Sequence, residues 1–419
     1  YGVDLSIRRE ATIADFMFHE KRVKADERLR VARTLARHNV TLYQGLASFL
    51  DPHTVRVVST LNPENPTAPG TTPGAQTDTR NEVVLRGETI LIATGSSPVR
   101  PPMFPFEHGR VHDSDEILEL DRLPKTLAVV GAGVVGSEYA CTFAALGVKV
   151  WIIDGRRELL PILDAEVSKA LEAAIREKLG ITFLWNRRVT ACEAPVEGDV
   201  TLTIDDDPKQ KLSVEGVLVA AGRSSNTGSL NLEAAGLVPG KRGLLTVDPH
   251  YRTSIPHIYA AGDVIGHPGL ASTSMEQARV AMCHACHIGY KTEVSSLLPT
   301  GIYTIPEASM VGATEEDLKS QGVEYVVGRA GYAQSSRGEI IGDDTGFLKL
   351  LFRRGDMKLL GVHVMGEHAS ELVHIGVIAM QTDSTVDLFN RVCFNFPTLG
   401  DMYKSAAYNA LLNLKGEAE

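Results

Sequence analysis

Several things are missing from this sequence, and each absence excludes something. No stretch reaches the roughly 18 apolar residues needed to cross a bilayer, so no membrane association is expected. No block of Lys and Arg stands out in a chain of formal net charge −10. Without a basic face to displace counterions, nucleic acid is not an expected partner, although a local site can still attract small anions. Five cysteines in 419 residues are too few for a disulfide framework and suit a reducing compartment, so the cytoplasm is the expected location. The opening YGVDLSIRRE has no apolar signal core and gives no sign of export. It also starts at Tyr rather than Met, as though the natural N-terminus lay upstream.

What is present is an ordinary globular balance, 43% hydrophobic and 22% charged, in a length that suggests two to four domains. Residues 12–38 are charged and helical in pattern, with Phe16, Val23, Leu29, Val31 and Leu35 as a rough apolar stripe. VTLYQGLASFL and HTVRVVSTL read as strands, and the Pro/Gly/Thr-rich residues 62–81 as an exposed loop between strands. From Thr126 the texture becomes strand, helix, strand: TLAVVG, GVVGSEYACTFAALG, VKVWIID. The last third mixes strands such as GFLKLLFRR and MKLLGVHVMG with the helix ASELVHIGVIAMQ, an α+β texture without solenoid repeats.

Gly131, Gly133 and Gly136 form G-x-G-x-x-G between a strand and a helix. A lone glycine triple is a weak signal, but this one has a strand before it, a second strand after the helix, and an acid at that strand's end. Gly131 permits the tight turn, Gly133 lets a pyrophosphate approach, and Gly136 lets the helix pack on the strand. The backbone of Ala132, Val134 and Val135 at the helix start then offers N–H groups to phosphates. Asp154 follows the third glycine at close to the ~20-residue spacing at which an acid receives the ribose hydroxyls of NAD. Arg156 and Arg157 stand just beyond it, and guanidinium groups fork onto a 2′-phosphate. They read either as solvated loop arginines or as the mark of a site that accepts both NAD(H) and NADP(H).

ATGSSP at residues 93–98 and AAGDVIG at 260–266 are further strand-end glycine turns, and Asp263 in the second suits a polyol hydroxyl. Together IATG, VVGAGVVGSEYA, AAGR, HIYAAGDV and the C-terminal third resemble the flavoprotein disulfide reductase family with two dinucleotide-binding domains. The resemblance runs over nearly the whole chain. Within the family, VHDSDEIL, PTGIYTIPE, HASELVHIG and FNFPT are most similar to the soluble, Si-specific pyridine nucleotide transhydrogenase branch. It implies an α/β fold of two nested Rossmann-like domains followed by an α+β dimerisation domain. The expected bounds are residues 1–120 with 248–298 for FAD, 121–247 for NAD(P), and 299–419 for dimerisation. It also implies a homodimer or larger homo-oligomer using FAD, NAD(H) and NADP(H). Ala47, Thr94, Gly95 and Ser96 would line the FAD, Asp263 its ribityl chain, and the backbone of Leu270, Ala271 and Ser272 its ring and pyrophosphate. Glu138 would sit beside nicotinamide and flavin, where otherwise it reads as an ordinary exposed helix residue. Val189 and Gly222 would flank the adenosine and nicotinamide ends of NAD(P).

Two departures from the family pattern shape the expected chemistry. Dithiol-oxidising members carry a C-x-x-x-x-C pair and a C-terminal H-P-T-x-x-E, whereas here FNFPTLGD places Phe396 at the His position and Asp401 at that of the Glu. Thiolate formation requires a base, and hydride transfer between nicotinamide and flavin does not. The implied reaction is therefore hydride transfer from NADPH to NAD⁺ in a ping-pong cycle. The alternatives are a dihydrolipoamide-dehydrogenase-like reductase and a non-catalytic nucleotide-binding and dimerisation fragment. The family's first G-x-G-x-x-G, for FAD, and its lysine partner for the Glu138 position are also absent. That reads as an N-terminally truncated chain, or as one that has lost tight FAD binding.

CHACH, residues 283–287, matches a c-type haem attachment pattern but falls in a helical stretch, so it reads as helix surface or core. His363, His368 and His374 fit no zinc spacing and read as packing or interface residues, while Cys141 and Cys393 read as buried small hydrophobes. No metal is expected.

Overall fold

The structure, a computed structural model, describes residues 13–60 and 81–416. The expected loop at 62–81 lies, except for Asn81, outside them. Two compact units emerge among the described residues: 13–60, 81–99, 118–123 and 223–294 form one, and 100–117, 124–222 and 295–416 the other. This partition differs from the expected three domains. Residues 223–247 cluster with the first unit, and residues 295–416 with 124–222, a coarser division than the expected one.

The first unit opens with the helix Ile13–Arg37. Its expected stripe is only partly right. Met17 and Ala32 are buried and Leu29 and Leu35 half-buried, but Val23 and Val31 face solvent, because a charged helix with scattered apolar residues offers no continuous face. An antiparallel sheet of Gly45–Asp51, Thr54–Ser59 and Glu82–Arg86 follows. Two further pairs close the unit. Ile90–Ile92 runs parallel to Ile258–Ala260, and Ser96–Pro98 antiparallel to Arg223–Ser225. The core gathers Phe49, Ile92, Leu230, Ile258, Ala260 and Val264 from across the sequence.

The second unit holds a five-stranded parallel sheet in the order Val111–His112, Gly216–Val219, Thr126–Val130, Lys149–Asp154, Thr182–Trp185. Its central strands are continuous apolar runs, as strands covered on both faces must be: all four residues of Gly216–Val219 are buried. The helix Val134–Ala145 packs against Lys149–Asp154. A three-stranded antiparallel sheet of Val189–Glu193, Val200–Ile204 and Asp207–Val214 shares its core through Val189, Val200 and Leu202. The C-terminal part is an antiparallel sheet in the order Thr300–Ile302, Ala308–Gly312, Leu359–Met365, Phe347–Arg353, Tyr325–Gly331. The helices Ala369–Gln381 and Met402–Lys415 pack on it around Phe352, Phe389 and Tyr403. No helix among the described residues is long and apolar enough to cross a membrane.

Candidate nucleotide-binding sites

The glycine turn after Thr126–Val130 is built as its spacing requires. Gly131 has φ +113°, and a Cβ there would come within 2.4 Å of the Ala220 carbonyl oxygen. A Cβ at Gly136 would lie 2.0 Å from the Gly131 carbonyl oxygen, so no larger residue fits either place. Gly133 is different: nothing lies within 4 Å of its missing side chain. It is the N-cap of Val134–Ala145, and no side chain caps that helix. Its first N–H groups, at Val134 and Val135, therefore face a cradle that an anion can enter and a side chain does not fill.

Asp154 closes the neighbouring strand, and all its acceptor positions are engaged. Oδ1 accepts from the Arg156 backbone N–H at 2.8 Å and from its Nε at 2.9 Å. Oδ2 accepts from the Ala132 N–H at 2.6 Å and from Arg156 Nη2 at 2.7 Å. Burial works against the Asp154 charge, but the Arg156 guanidinium and the two N–H groups outweigh it and hold the carboxyl below its ordinary range. Arg156 is thus engaged with the acid beside it, while Arg157 is exposed. Val189 is buried in its strand, and Gly222, at φ +100°, turns the chain just after Gly216–Val219.

Glu138 lies one turn into the helix, half-buried, and its Oε1 accepts from the Tyr303 backbone N–H at 2.9 Å. Burial raises its pKa, partly offset by that N–H. Sequence reasoning named only the family's lysine as a partner for this position and did not foresee Tyr303. The only available hint was the YTIPE segment, singled out for other reasons. On the same helix Cys141 is buried as expected, and burial pushes its thiol up to about 11. Cys393, also expected to be buried, is exposed, while the next residue, Phe394, is the one that packs against the C-terminal core.

In the first unit, Ser96 Oγ donates to Asp263 Oδ2 at 2.6 Å, which brings two of the expected FAD contacts together. Arg223 fixes Ser96 through its Oγ and carbonyl, both at 2.7 Å, and Asn226 holds the Thr94 and Gly95 carbonyls at 3.0 Å. The buried Gln277 accepts from the Gly262 N–H at 2.8 Å beside Asp263. Leu270 is the N-cap of Ala271–Ala285, again with no capping side chain, and Ala271 and Ser272 are exposed at its start. Ala47 pairs with Val57 within its sheet, half-buried. Asn226 and Gln277 carried no motif that marked them beforehand, while Arg223 closes AAGR, which pointed to the family but not to this contact.

The CHACH segment is helical only through Ala285. Cys286 caps the helix and is exposed, and His287 has φ +56°. His284 stacks on His250 and lies 2.8 Å from the Tyr259 hydroxyl. His363 is buried, with Nε2 2.9 Å from the Ala313 carbonyl oxygen, whereas His368 and His374 are exposed. Asp164, Glu166 and Glu315 bring three carboxylates within 4.8 Å of one another. The buried Lys349 ammonium occupies the cation position among them, at 2.7, 2.8 and 2.5 Å.

Comparison with known proteins gives these sites a context. Residues 14–283 match the family described as pyridine nucleotide-disulphide oxidoreductase, and residues 298–407 match its dimerisation domain. The chain belongs to this family. Among curated relatives, the soluble pyridine nucleotide transhydrogenase of Mycobacterium tuberculosis is 40% identical over 99% of this chain and 84% of its own length. That of Hahella chejuensis is 42% identical over 90% of this chain and 77% of its own length. Among solved structures, LpdA of Mycobacterium tuberculosis superposes with a TM-score of 0.83 at 26% identity, covering 96% of this chain and 84% of that one. The HOCl-induced flavoprotein disulfide reductase RclA of Escherichia coli gives 0.78 at 25% identity, covering 88% and 79%. Family membership agrees with the fold read from the sequence: dinucleotide-binding α/β elements followed by an α+β dimerisation domain.

Proposed function

We propose that this protein is a pyridine nucleotide transhydrogenase, moving hydride from NADPH to NAD⁺ with FAD between them. The two nucleotides take turns in the site around Gly131, Gly133 and Gly136. The observation that carries the dual use is the Asp154–Arg156 pair. A free carboxylate at the end of that strand would repel a 2′-phosphate, and an unaccompanied arginine would leave a bare ribose with little to bind. An acid already neutralised by its neighbour tolerates the phosphate, and it still offers acceptors to ribose hydroxyls when the arginine swings away. Relatives at about 40% identity that bear the name transhydrogenase support the same reaction.

FAD, when bound, would supply the hydride-accepting chemistry that links the two nicotinamides. The chain supplies binding and orientation. The uncapped starts of Val134–Ala145 and Ala271–Ala285 would hold pyrophosphates, and the Ser96–Asp263 pair would receive the flavin's polyol chain. Glu138, fixed by the Tyr303 N–H, orients the nicotinamide. No proton need be taken from a thiol. Phe396, 73% exposed where a dithiol cycle would need a base, speaks against a dihydrolipoamide-type reaction. The dimerisation domain supports a homodimer as the working form.

The deciding experiment is an anaerobic visible spectrum of the purified chain with FAD. Flavin absorbance that bleaches with NADPH and recovers with NAD⁺ is expected. Bleaching that recovers only with a disulfide substrate would replace this reading with the reductase one. Absence of bound flavin would reduce the chain to a nucleotide-binding fragment.

A further inference from the structure

Resting on the dual-nucleotide reading, we infer that Arg188 is a specificity residue for NADP(H), supplying with Arg157 the cationic charge that meets the 2′-phosphate. Arg156 does not fill that role. Its Nε and Nη2 are both committed to Asp154, and they cancel the acid's charge instead of adding positive charge to the site. A 2′-phosphate placed beside Asp154 thus meets a neutral ion pair, and its own charge of nearly two needs another partner.

The fold brings one. The loop after Lys149–Asp154 is stitched to the turn between Thr182–Trp185 and Val189–Glu193. The Arg187 N–H donates to the Asp154 carbonyl at 3.1 Å, and the Asn186 N–H donates to the Arg156 carbonyl at 2.9 Å. These bonds hold the next residue, Arg188, across Gly155. A Cβ at position 155 would meet Arg188 Nε at 3.2 Å and Cγ at 3.6 Å. The guanidinium stem therefore lies over the residue that follows the ribose acid, and Arg188 is exposed there.

Asp205 is the acid that competes for it. Its Oδ1 accepts from the Arg188 backbone N–H at 2.8 Å, while Oδ2 takes Arg187 Nη1 at 2.7 Å. Asp205 therefore engages the Arg187 guanidinium but only the backbone N–H of Arg188. The backbone bond to Asp205 fixes the position of Arg188 without requiring its side chain. Truncating the guanidinium leaves the turn intact.

Binding of two fragments, measured by titration calorimetry on the full chain, tests this without any need for flavin. Adenosine 2′,5′-bisphosphate carries the 2′-phosphate, and 5′-AMP lacks it. Arg188→Ala is expected to weaken the bisphosphate about tenfold, the scale of one charge-assisted contact, and to leave 5′-AMP unchanged. The bisphosphate's affinity should also fall more steeply with salt in the wild type than in the variant. Equal weakening of both ligands, or of neither, would overturn the role of Arg188 while leaving the transhydrogenase reading in place. A wild-type chain that binds neither fragment would overturn both.

Discussion

Glu138 is a carboxylate half-buried against a single backbone N–H, with burial raising its pKa. A carboxyl whose folded pKa lies above its unfolded value costs stability once it is ionised. The cost is absent below the ordinary value of 4.5 and grows as pH rises through the raised one. Glu138→Gln keeps an acceptor for the Tyr303 N–H and removes the charge. Its melting temperature should match the wild type at pH 4 and equal or exceed it at pH 8. Glu138→Ala leaves the N–H unpaired and should cost about 1 kcal/mol at pH 4 and less at pH 8, where it also removes the buried charge. If both variants bind NADP⁺ normally but slow flavin reduction about tenfold in stopped-flow traces, Glu138 orients the nicotinamide. A rate unchanged in both would mark it as structural. At Asp154 the expectation is asymmetric. Arg156→Ala bares the acid, so Kd for NADP⁺ should rise by roughly tenfold while that for NAD⁺ holds or falls, as equilibrium dialysis can check.

At the scale of elements, Lys349 ties the helix Ala165–Leu179 to the antiparallel sheet of the same unit. Its ammonium, fully buried on Phe347–Arg353, meets Asp164, the N-cap of that helix, together with Glu166 and Glu315. Burial opposes each charge, but the mutual hydrogen bonds win. Asp164 and Glu166 fall below their usual range, Glu315 falls to about 2, and Lys349 rises. Depressed carboxyls stabilise the fold above their unfolded values, and that contribution is lost as pH falls through the folded ones. For Glu315 the window runs from about 4.5 down to about 2. Lys349 adds stability that is full below 10.5 and lost as pH climbs through its raised value. His363, buried nearby with its pKa lowered by burial, steepens the acid side because it gains a proton on unfolding. Lys349→Met should therefore destabilise this unit by about 3–5 kcal/mol at pH 7, where it strands buried carboxylates. The gap should narrow towards pH 3 in denaturant melts. A gap that is constant with pH would mean that packing, not charge, holds the two elements.

For the whole molecule the expectation is a dimer sedimenting at twice 45.3 kDa. The helices of the dimerisation region leave Ile378 66% exposed and Tyr408 and Leu412 about half exposed, apolar surface of the kind that subunit contacts cover. Replacing Ile378 with Asp should yield monomers by sedimentation velocity without lowering the melting temperature of the monomer's own core. A variant that remains dimeric would place the contact on another face.

Local pattern was enough for much of this protein. Strands covered on both faces read as apolar runs, and a βα turn that must admit a phosphate needs glycine at fixed spacing. The parallel strands, the Gly131–Gly136 turn and the acid at its partner strand were therefore legible from neighbouring residues alone. The departure at Phe396 was equally plain, since it is a single letter within a motif. Partners that meet only after folding were not legible. Tyr303 holds Glu138 from 165 positions away, Lys349 reaches Asp164 from 185, and Arg223 braces Ser96 from 127. Such pairs leave no periodic trace. Burial of Cys393 and of the first helix's valines was misread because apolar character alone does not say which face a neighbour covers. The sequence by itself determined which backbone could cradle a dinucleotide, because steric fit at a turn is a local matter. Tertiary structure decided which charges remain available at that cradle, because an ion pair such as Asp154–Arg156 and a neighbour such as Arg188 act only through distance in space.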